Sequence, residues 1–310
     1  MDNLLYQIAV SSRPRQWLKN GALFAALIFS GRLFIGVDFS RTLWAVIIFS
    51  IIASAVYIFN DIVDLQADRL HPFKKLRPIA RGNIPVPLAY FLAFIAALGG
   101  LYLAFHLSFF FFLTSAVYLF LQIAYTLFFK NHVIIDILVI ASGFVLRVIG
   151  GAFVIGVHLS GWFYLCVISF SLFMAVGKRR AELAILNENA AQHRKTLSLY
   201  SVSLLENYLS MFGASAFLSW SLFTFFAPPP IVAQDLSFLA YLPLTLAGIN
   251  KWLMATIPVV LYGIMRYQKI VYEGERAESP EKVLLSDQPL LTAVLVWGLM
   301  VIIIVYGMPS

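Results

Sequence analysis

Cysteine is all but missing from this 310-residue chain: Cys166 stands alone, so no intramolecular disulfide can form and a thiolate metal site has no second sulfur. Cys166 itself lies in an apolar run and reads as packing. Charge is scarce too. Asp, Glu, Lys and Arg make up 12% of the residues against 61% hydrophobic, and the mean hydropathy is +0.87, which excludes a soluble globular domain. Acidic residues are outnumbered 15 to 22 by Lys and Arg. The resulting +7 charge is expected to face anionic lipid headgroups, with no nucleic-acid partner. Met1 to Lys19 lack the apolar core of a cleavable signal, so the first hydrophobic run is expected to stay in the protein.

What the chain does have is long apolar runs. Nine reach, or nearly reach, the length needed to cross about 30 Å of hydrocarbon: Gly21 to Phe34, Leu43 to Phe59, Val86 to Phe105, Leu107 to Phe129, Val133 to Val157, Trp162 to Val176, Tyr208 to Phe226, Trp252 to Met265 and Leu290 to Met308. The expected fold is an all-α integral membrane protein of nine transmembrane helices, a single transmembrane domain over 1–310. Of the 22 Lys and Arg, 18 fall in the amino-terminal segment or in the loops after segments two, four, six and eight. That bias puts the amino terminus in the cytoplasm and makes the protein multi-pass in the cell membrane. Ala227 to Lys251, opening with three prolines, reads as an outer loop or interfacial helix. The two long polar loops, after segments two and six, suggest two four-helix halves and a ninth helix.

The densest chemistry lies between Asn60 and Gly82, where three carboxylates and five Lys or Arg follow the second run. On a helix, Asn60, Asp61, Asp64 and Asp68 fall within an arc of about 100° at roughly 3.6 residues per turn. Like charges on one face repel, so the face is expected to hold a cation. Oxygen ligands of this kind suit Mg²⁺ bound to a phosphate-bearing substrate. Asn60, Asp61, Asp64 and Asp68 are therefore the candidate metal ligands, and Lys74, Lys75, Arg77 and Arg81 lie near for phosphate charge.

Three further places bear on an anion site. The loop after segment six opens Gly-Lys-Arg-Arg-Ala-Glu at Gly177 to Glu182 and continues to His193-Arg194-Lys195. Lys178 and Glu182 are i,i+4 neighbours on a helix, and the cations face more than one direction, as a positive-inside anchor or as a phosphate cradle. Segment five carries Asp136 and, eleven residues on, Arg147, sharing a face with Gly143 and Gly150. Asp136 and Arg147 are about 16 Å apart along the axis, too far to pair, so the intramembrane Arg147 needs another partner: a substrate, an ion pair or helix carbonyls. The glycines read as close helix packing. Before the first span, Trp17 reads as an interfacial anchor, while Lys19 and Asn20 enter the membrane boundary within reach of a phosphate.

Asn-Asp-x-x-Asp-x-x-x-Asp at Asn60 to Asp68, after the second of nine spans, resembles the signature of the UbiA superfamily of intramembrane prenyltransferases. Four stretches narrow the resemblance: Arg13 to Asn20, Asp68 to Gly82, Asp136 to Arg147 and Gly177 to Leu183 are similar to the branch that transfers phosphoribosyl groups to decaprenyl phosphate. This resemblance implies a UbiA-like helical bundle with cytoplasmic active-site loops. It also implies Mg²⁺-dependent transfer of the phosphoribosyl group of phosphoribosyl diphosphate to a polyprenyl phosphate. Asp61, Asp64 and Asp68, assisted by Asn60, would then serve the metal and the leaving diphosphate. Lys19, Asn20, Lys74, Arg77, Lys130, Arg147, Lys178, Arg179 and Glu182 would serve the substrates.

The chain departs from the aromatic prenyltransferases of that superfamily, which carry a second acidic motif after segment six. Here the loop has Lys178, Arg179, Arg180 and a single Glu182. A basic loop suits a substrate presenting bare phosphate. The alternative activity is prenyl transfer from a prenyl diphosphate to an aromatic or other small acceptor, and the alternative class is a transporter, which needs a polar route from both membrane faces. Small-residue faces serve contacts within and between chains alike, so a homo-oligomer is compatible with the sequence.

Overall fold

A computed structural model of the chain describes residues 4–70, 73–186, 199–226, 251–273 and 280–307. The stretch read as an outer loop, Ala227 to Lys251, lies outside the described residues except for Lys251, as does His193-Arg194-Lys195. Among the described residues every regular element is a helix: α1 (Leu4–Ser11), a 3₁₀ helix (Pro14–Leu23), α2 (Phe24–Phe29), α3 (Gly36–Val63), α4 (Leu65–Leu70), α5 (Val86–Leu107), α6 (Phe109–Leu127), α7 (Ile135–Ile155), α8 (Gly161–Leu186), α9 (Val202–Phe226), α10 (Ile257–Glu273), α11 (Pro280–Ser286) and α12 (Gln288–Gly307), with short 3₁₀ turns at Lys74–Leu76, Phe129–Asn131 and Trp252–Thr256. Polar residues set several starts: Ser108, Ser160, Ser201 and Asp287 accept the backbone N–H three residues on, from Phe111, Phe163, Leu204 and Leu290.

Among the described residues, seven helices, α3, α5, α6, α7, α8, α9 and α12, are long and apolar enough to cross a membrane. The first and eighth expected spans take another form. Over the first, Gly21 to Phe34, the end of a 3₁₀ helix that begins at Pro14 leads into the six-residue α2. The eighth is a 3₁₀ turn followed by the 17-residue α10.

The chain divides into two compact units. In the first, residues 4–25 and 36–157, α3 packs on α5, where Gly100 faces Ile52 so closely that a Cβ would lie 2.5 Å from its Cγ1. Helix α7 packs on α6 and on the 3₁₀ helix, and a Cβ on Gly151 would sit 2.1 Å from the Leu23 carbonyl oxygen. Gly151 therefore admits a backbone that no other residue would. The expected boundary between halves moves in consequence: segment five belongs with segments two to four, and the division falls after Val157.

In the second unit, residues 26–35, 158–186, 200–226, 251–273 and 280–307, α8 packs along α9, and α10 along α12. Its core is aromatic. Phe29 meets Phe163, Trp220, Phe223 and Trp297 at centroid distances of 4.9–6.3 Å, and the Trp220 indole donates to Thr256 Oγ1 at 3.1 Å. These phenylalanines fill the bundle.

Candidate active site

Helix α3 ends at Val63, but Asp64 N–H donates to the Asn60 carbonyl at 2.9 Å and Asp68 N–H to that of Asp64 at 2.8 Å, so near-helical winding carries through the junction into α4. The acidic face expected from the spacing therefore forms, and it divides between two sets of partners. Asp61 and Asp68, both 3% exposed, converge on one nitrogen of Arg77, at 3.0 and 2.5 Å. Since both oxygens lie on the same atom, they are no more than about 5.5 Å apart. Asp61 also pairs with Arg13. Asp64 pairs instead with Lys130 at 2.5 Å, and Asn60 Oδ1 accepts from Thr126 Oγ1 at 3.3 Å. The cation demanded by three like charges is thus supplied by the protein itself, from positions 16, 48 and 66 residues away in sequence.

Arg77 reaches this position because its neighbours are anchored. Ile79 and Ile84, 1% and 2% exposed, join Ile58, Ile62, Ala89 and Ala93 in one apolar cluster, which pins the loop after α4 to α3 and α5. Arg69 Nε donates to the Ala80 carbonyl at 3.3 Å and ties the loop back to α4. Lys74 is exposed. Burial pushes the Asp68 carboxyl above its ordinary 3.8; Arg77 draws it down, Asp61 adds to the rise, and Arg77 hydrogen bonding and Lys74 oppose it.

Arg13 was visible in the sequence only as part of a motif, and it belongs to the site. Its backbone is left-handed, φ 53° and ψ 62°, which costs a non-glycine residue about 1–3 kcal/mol, and Pro14 follows it. Surrounding bonds hold that turn. Arg13 N–H donates to the Val10 carbonyl at 3.1 Å, and the Arg13 carbonyl accepts from Gln16 N–H at 2.8 Å. The Trp17 indole donates to the Ser12 carbonyl and Ser54 Oγ, both at 3.1 Å, so Trp17 is a clamp between this turn and α3 as well as a partly exposed ring. The guanidinium then stacks over Tyr57, 5.1 Å from the ring centroid.

Arg147 finds its partner in Asn20. Its Nε donates to Asn20 Oδ1 at 2.8 Å, and its other nitrogens donate to the Gly143 carbonyl at 2.5 Å and Tyr118 Oη at 3.1 Å. Asn20 Nδ2 donates in turn to Ser50 Oγ at 2.8 Å. Arg147 is 4% exposed and Asn20 fully buried. The rings of Tyr118, Phe49 and Phe144 lie 4.9–5.7 Å from the guanidinium carbon. Among the described residues no carboxylate pairs with Arg147, so its charge is held by oxygens and π faces alone. Of the expected alternatives, the helix carbonyl is realised, together with the Asn20 side-chain amide. Lys19 Nζ donates to Gln16 Oε1 at 2.6 Å. Asp136 is buried at the start of α7.

In the second unit, Arg179 and Lys178 both turn to Glu182, the latter at 3.9 Å, and Arg180 forks onto Glu206 of α9 at 2.9 and 3.0 Å. The cations do face two directions. Gly177 beside them admits the Tyr267 ring, whose Oη would lie 2.6 Å from a Cβ.

Among the described residues, no three His, Cys, Asp or Glu side chains stand together as a metal cage. Mg²⁺ needs fewer: one or two carboxylates suffice when water and substrate phosphates complete its shell. Two buried carboxylates converging on one cation meet that requirement, so the donor set fits magnesium.

The helical membrane fold and its buried carboxylate–cation site define the class of protein. The model of the UbiA prenyltransferase family matches residues 21–286, and the chain belongs to that family, a family of transferase enzymes. Among its relatives, the decaprenyl-phosphate phosphoribosyltransferase of Corynebacterium glutamicum is 34% identical over 319 residues, covering 99% of this chain and 89% of that protein. That of Mycolicibacterium smegmatis is 33% identical over 299 residues, covering 95% and 91%. The structure of a UbiA homolog from Archaeoglobus fulgidus bound to GPP and Mg²⁺ shares the fold, with a TM-score of 0.70 at 15% identity over 95% of this chain and 96% of that one.

Proposed function

We propose that the protein transfers the 5-phosphoribosyl group of phosphoribosyl diphosphate to a polyprenyl phosphate with release of diphosphate, in a Mg²⁺-dependent reaction. The observation that carries this reading is the convergence of Asp61 and Asp68 on a single cation in a buried site supplied with Arg13, Arg77 and Lys130. About one-third identity along nearly the whole chain to relatives named for that activity supports the choice of substrates.

The bond between C1 of the ribose and the diphosphate oxygen breaks, and an oxygen of the lipid phosphate bonds to C1 from the opposite face. A phosphate monoester is largely dianionic at neutral pH, so the nucleophile needs no general base. Asp61, Asp64 and Asp68, with Asn60, would hold the metal, which when bound neutralises charge developing on the leaving diphosphate. Arg77 and Lys130 stand beside these carboxylates and serve the phosphates, with Lys19 and Lys74 from the same unit. Asn20 and Arg147 hold the 3₁₀ helix that carries Lys19. Lys178 and Arg179, oriented by Glu182, are assigned to substrate phosphate on the resemblance of their motif. Nine membrane crossings, counting the first and eighth segments, with a cytoplasmic amino terminus in the plasma membrane, complete the reading.

Incubating purified protein with radiolabelled phosphoribosyl diphosphate, a polyprenyl phosphate and Mg²⁺ tests it. Label is expected to move into the organic phase, and to stay behind with Asp64→Ala or a chelator. Coupling of a prenyl diphosphate to an aromatic acid, with phosphoribosyl diphosphate ignored, would overturn it.

A further inference from the structure

Arg13, Arg77, Asp61 and Asp68 form a closed, electrically neutral quartet: two guanidinium ions, 25% and 24% exposed, on two carboxylates, 3% and 4% exposed. Asp61 Oδ1 accepts from both Arg13 and Arg77, and Asp68 Oδ2 from Arg77, so a divalent cation bridging these two oxygens competes with both guanidinium ions. For Asp61 and Asp68 to share a divalent cation through these oxygens, Arg13 and Arg77 must let go. If the cation arrives alone, the two guanidinium ions lose their counter-charges at a position only about one quarter exposed, which is unfavourable. If it arrives with a diphosphate, they gain acceptors they match well, because guanidinium forks onto phosphate in two parallel hydrogen bonds.

The placement of Arg13 goes beyond what a surface ion pair requires. Its left-handed backbone, the Trp17 and Ser54 bonds to the preceding carbonyl and the Tyr57 ring all aim one side chain at Asp61. Such investment in a strained turn is a mark of a functional position.

Resting on the reading above, we infer that Arg13 is a diphosphate-binding residue and that, with Arg77, it guards Asp61 and Asp68, so that the protein takes up its divalent metal only together with a diphosphate. Arg13 moves from carboxylate to diphosphate as the substrate binds, and a metal ion without substrate is turned away.

Equilibrium dialysis of the full chain in nanodiscs against Mn²⁺, used as the probe metal, tests the inference without measuring turnover. Two arms are run, with and without phosphoribosyl diphosphate. The wild type is expected to retain little Mn²⁺ alone and to retain it at least about tenfold more tightly with phosphoribosyl diphosphate present. Arg13→Gln is expected to retain Mn²⁺ without substrate about tenfold better than the wild type and to gain less from adding it, while Arg13→Lys keeps the guarding charge and stays near the wild type. Wild-type protein that retains Mn²⁺ equally in both arms overturns the inference and leaves the proposed metal site standing, and this pair of arms decides even where a variant fails to fold. Arg13→Gln that folds and retains no more Mn²⁺ than the wild type also overturns it. No retention in either wild-type arm overturns the metal-site reading, and the inference with it.

Discussion

The two charged clusters of the molecule are built on opposite plans. In the second unit, Lys178 and Arg179 find Glu182 within a single helical turn, and Arg180 reaches a neighbouring helix. In the first unit, Asp61, Asp64 and Asp68 are neutralised by Arg77, Arg13 and Lys130, which come from an anchored loop, a strained turn and the 3₁₀ turn after α6. A pair within one helix forms wherever that helix forms and contributes a few tenths of a kcal/mol. A cluster assembled from four elements exists only if all four are correctly placed. The first cluster therefore reports on tertiary structure throughout, and the second, at Lys178 and Arg179, on local winding.

Substitutions can break or sharpen that contrast. The largest effect is expected at Asp61: Asp61→Asn lowers phosphoribosyl transfer at least about 100-fold and, by leaving Arg13 and Arg77 short of a partner, lowers unfolding free energy by about 2 kcal/mol in the metal-free protein. A label-transfer assay and thermal unfolding read the two losses. Next comes Arg147→Met, expected to cost about 3 kcal/mol because Asn20, Tyr118 and the Gly143 carbonyl lose a buried donor. Arg147→Lys does not restore it, since one ammonium cannot match three directions of a planar fork.

The pH dependence is smaller and has a definite sign. Asp68 holds its proton to a pH above the ordinary 3.8, so the folded state binds that proton more readily than the unfolded chain. Its contribution to stability is full at low pH and falls as pH rises from 3.8 through the raised value. Metal binding needs the ionised form, so transfer is lost on acidification earlier than for an ordinary aspartate. A pH–rate profile whose acid limb lies at or below 3.8 would refute this. The least effect is expected at the partly exposed pair of the second cluster: Lys178→Gln changes thermal stability by less than about 1 kcal/mol. A larger loss there would erase the contrast.

The sequence made the helical class legible and located seven spanning helices, since a run of about 20 apolar residues has few other fates in lipid, although three of them extend six to ten residues beyond the expected runs at one end. It also placed Asp61 and Asp68 on one face, because helical spacing is local. What escaped it depends on distance along the chain. Nothing in the spacing of Lys130 pairs it with Asp64, and nothing in Asn20 announces Arg147, 127 residues away. Arg13 lies in the basic stretch before the first span, yet its left-handed backbone is a property of the turn. Trp17 carried the signature of an interfacial anchor, and only the nearby Ser12 carbonyl and Ser54 hydroxyl show its second task.

The 3₁₀ winding of Pro14–Leu23 makes this segment a ruler. At about 2.0 Å of rise per residue instead of 1.5 Å, the ten residues span about 20 Å where an α-helix would span about 15 Å. Arg13 at its head is gauged against Asp61, and Asn20 within it against Arg147. Two marks on one rule cannot be adjusted separately. Removing or inserting a single residue between positions 13 and 20 would pull one contact out of register whenever the other is kept, so tolerance to length change, more than to side-chain change, is the property this stretch has given up.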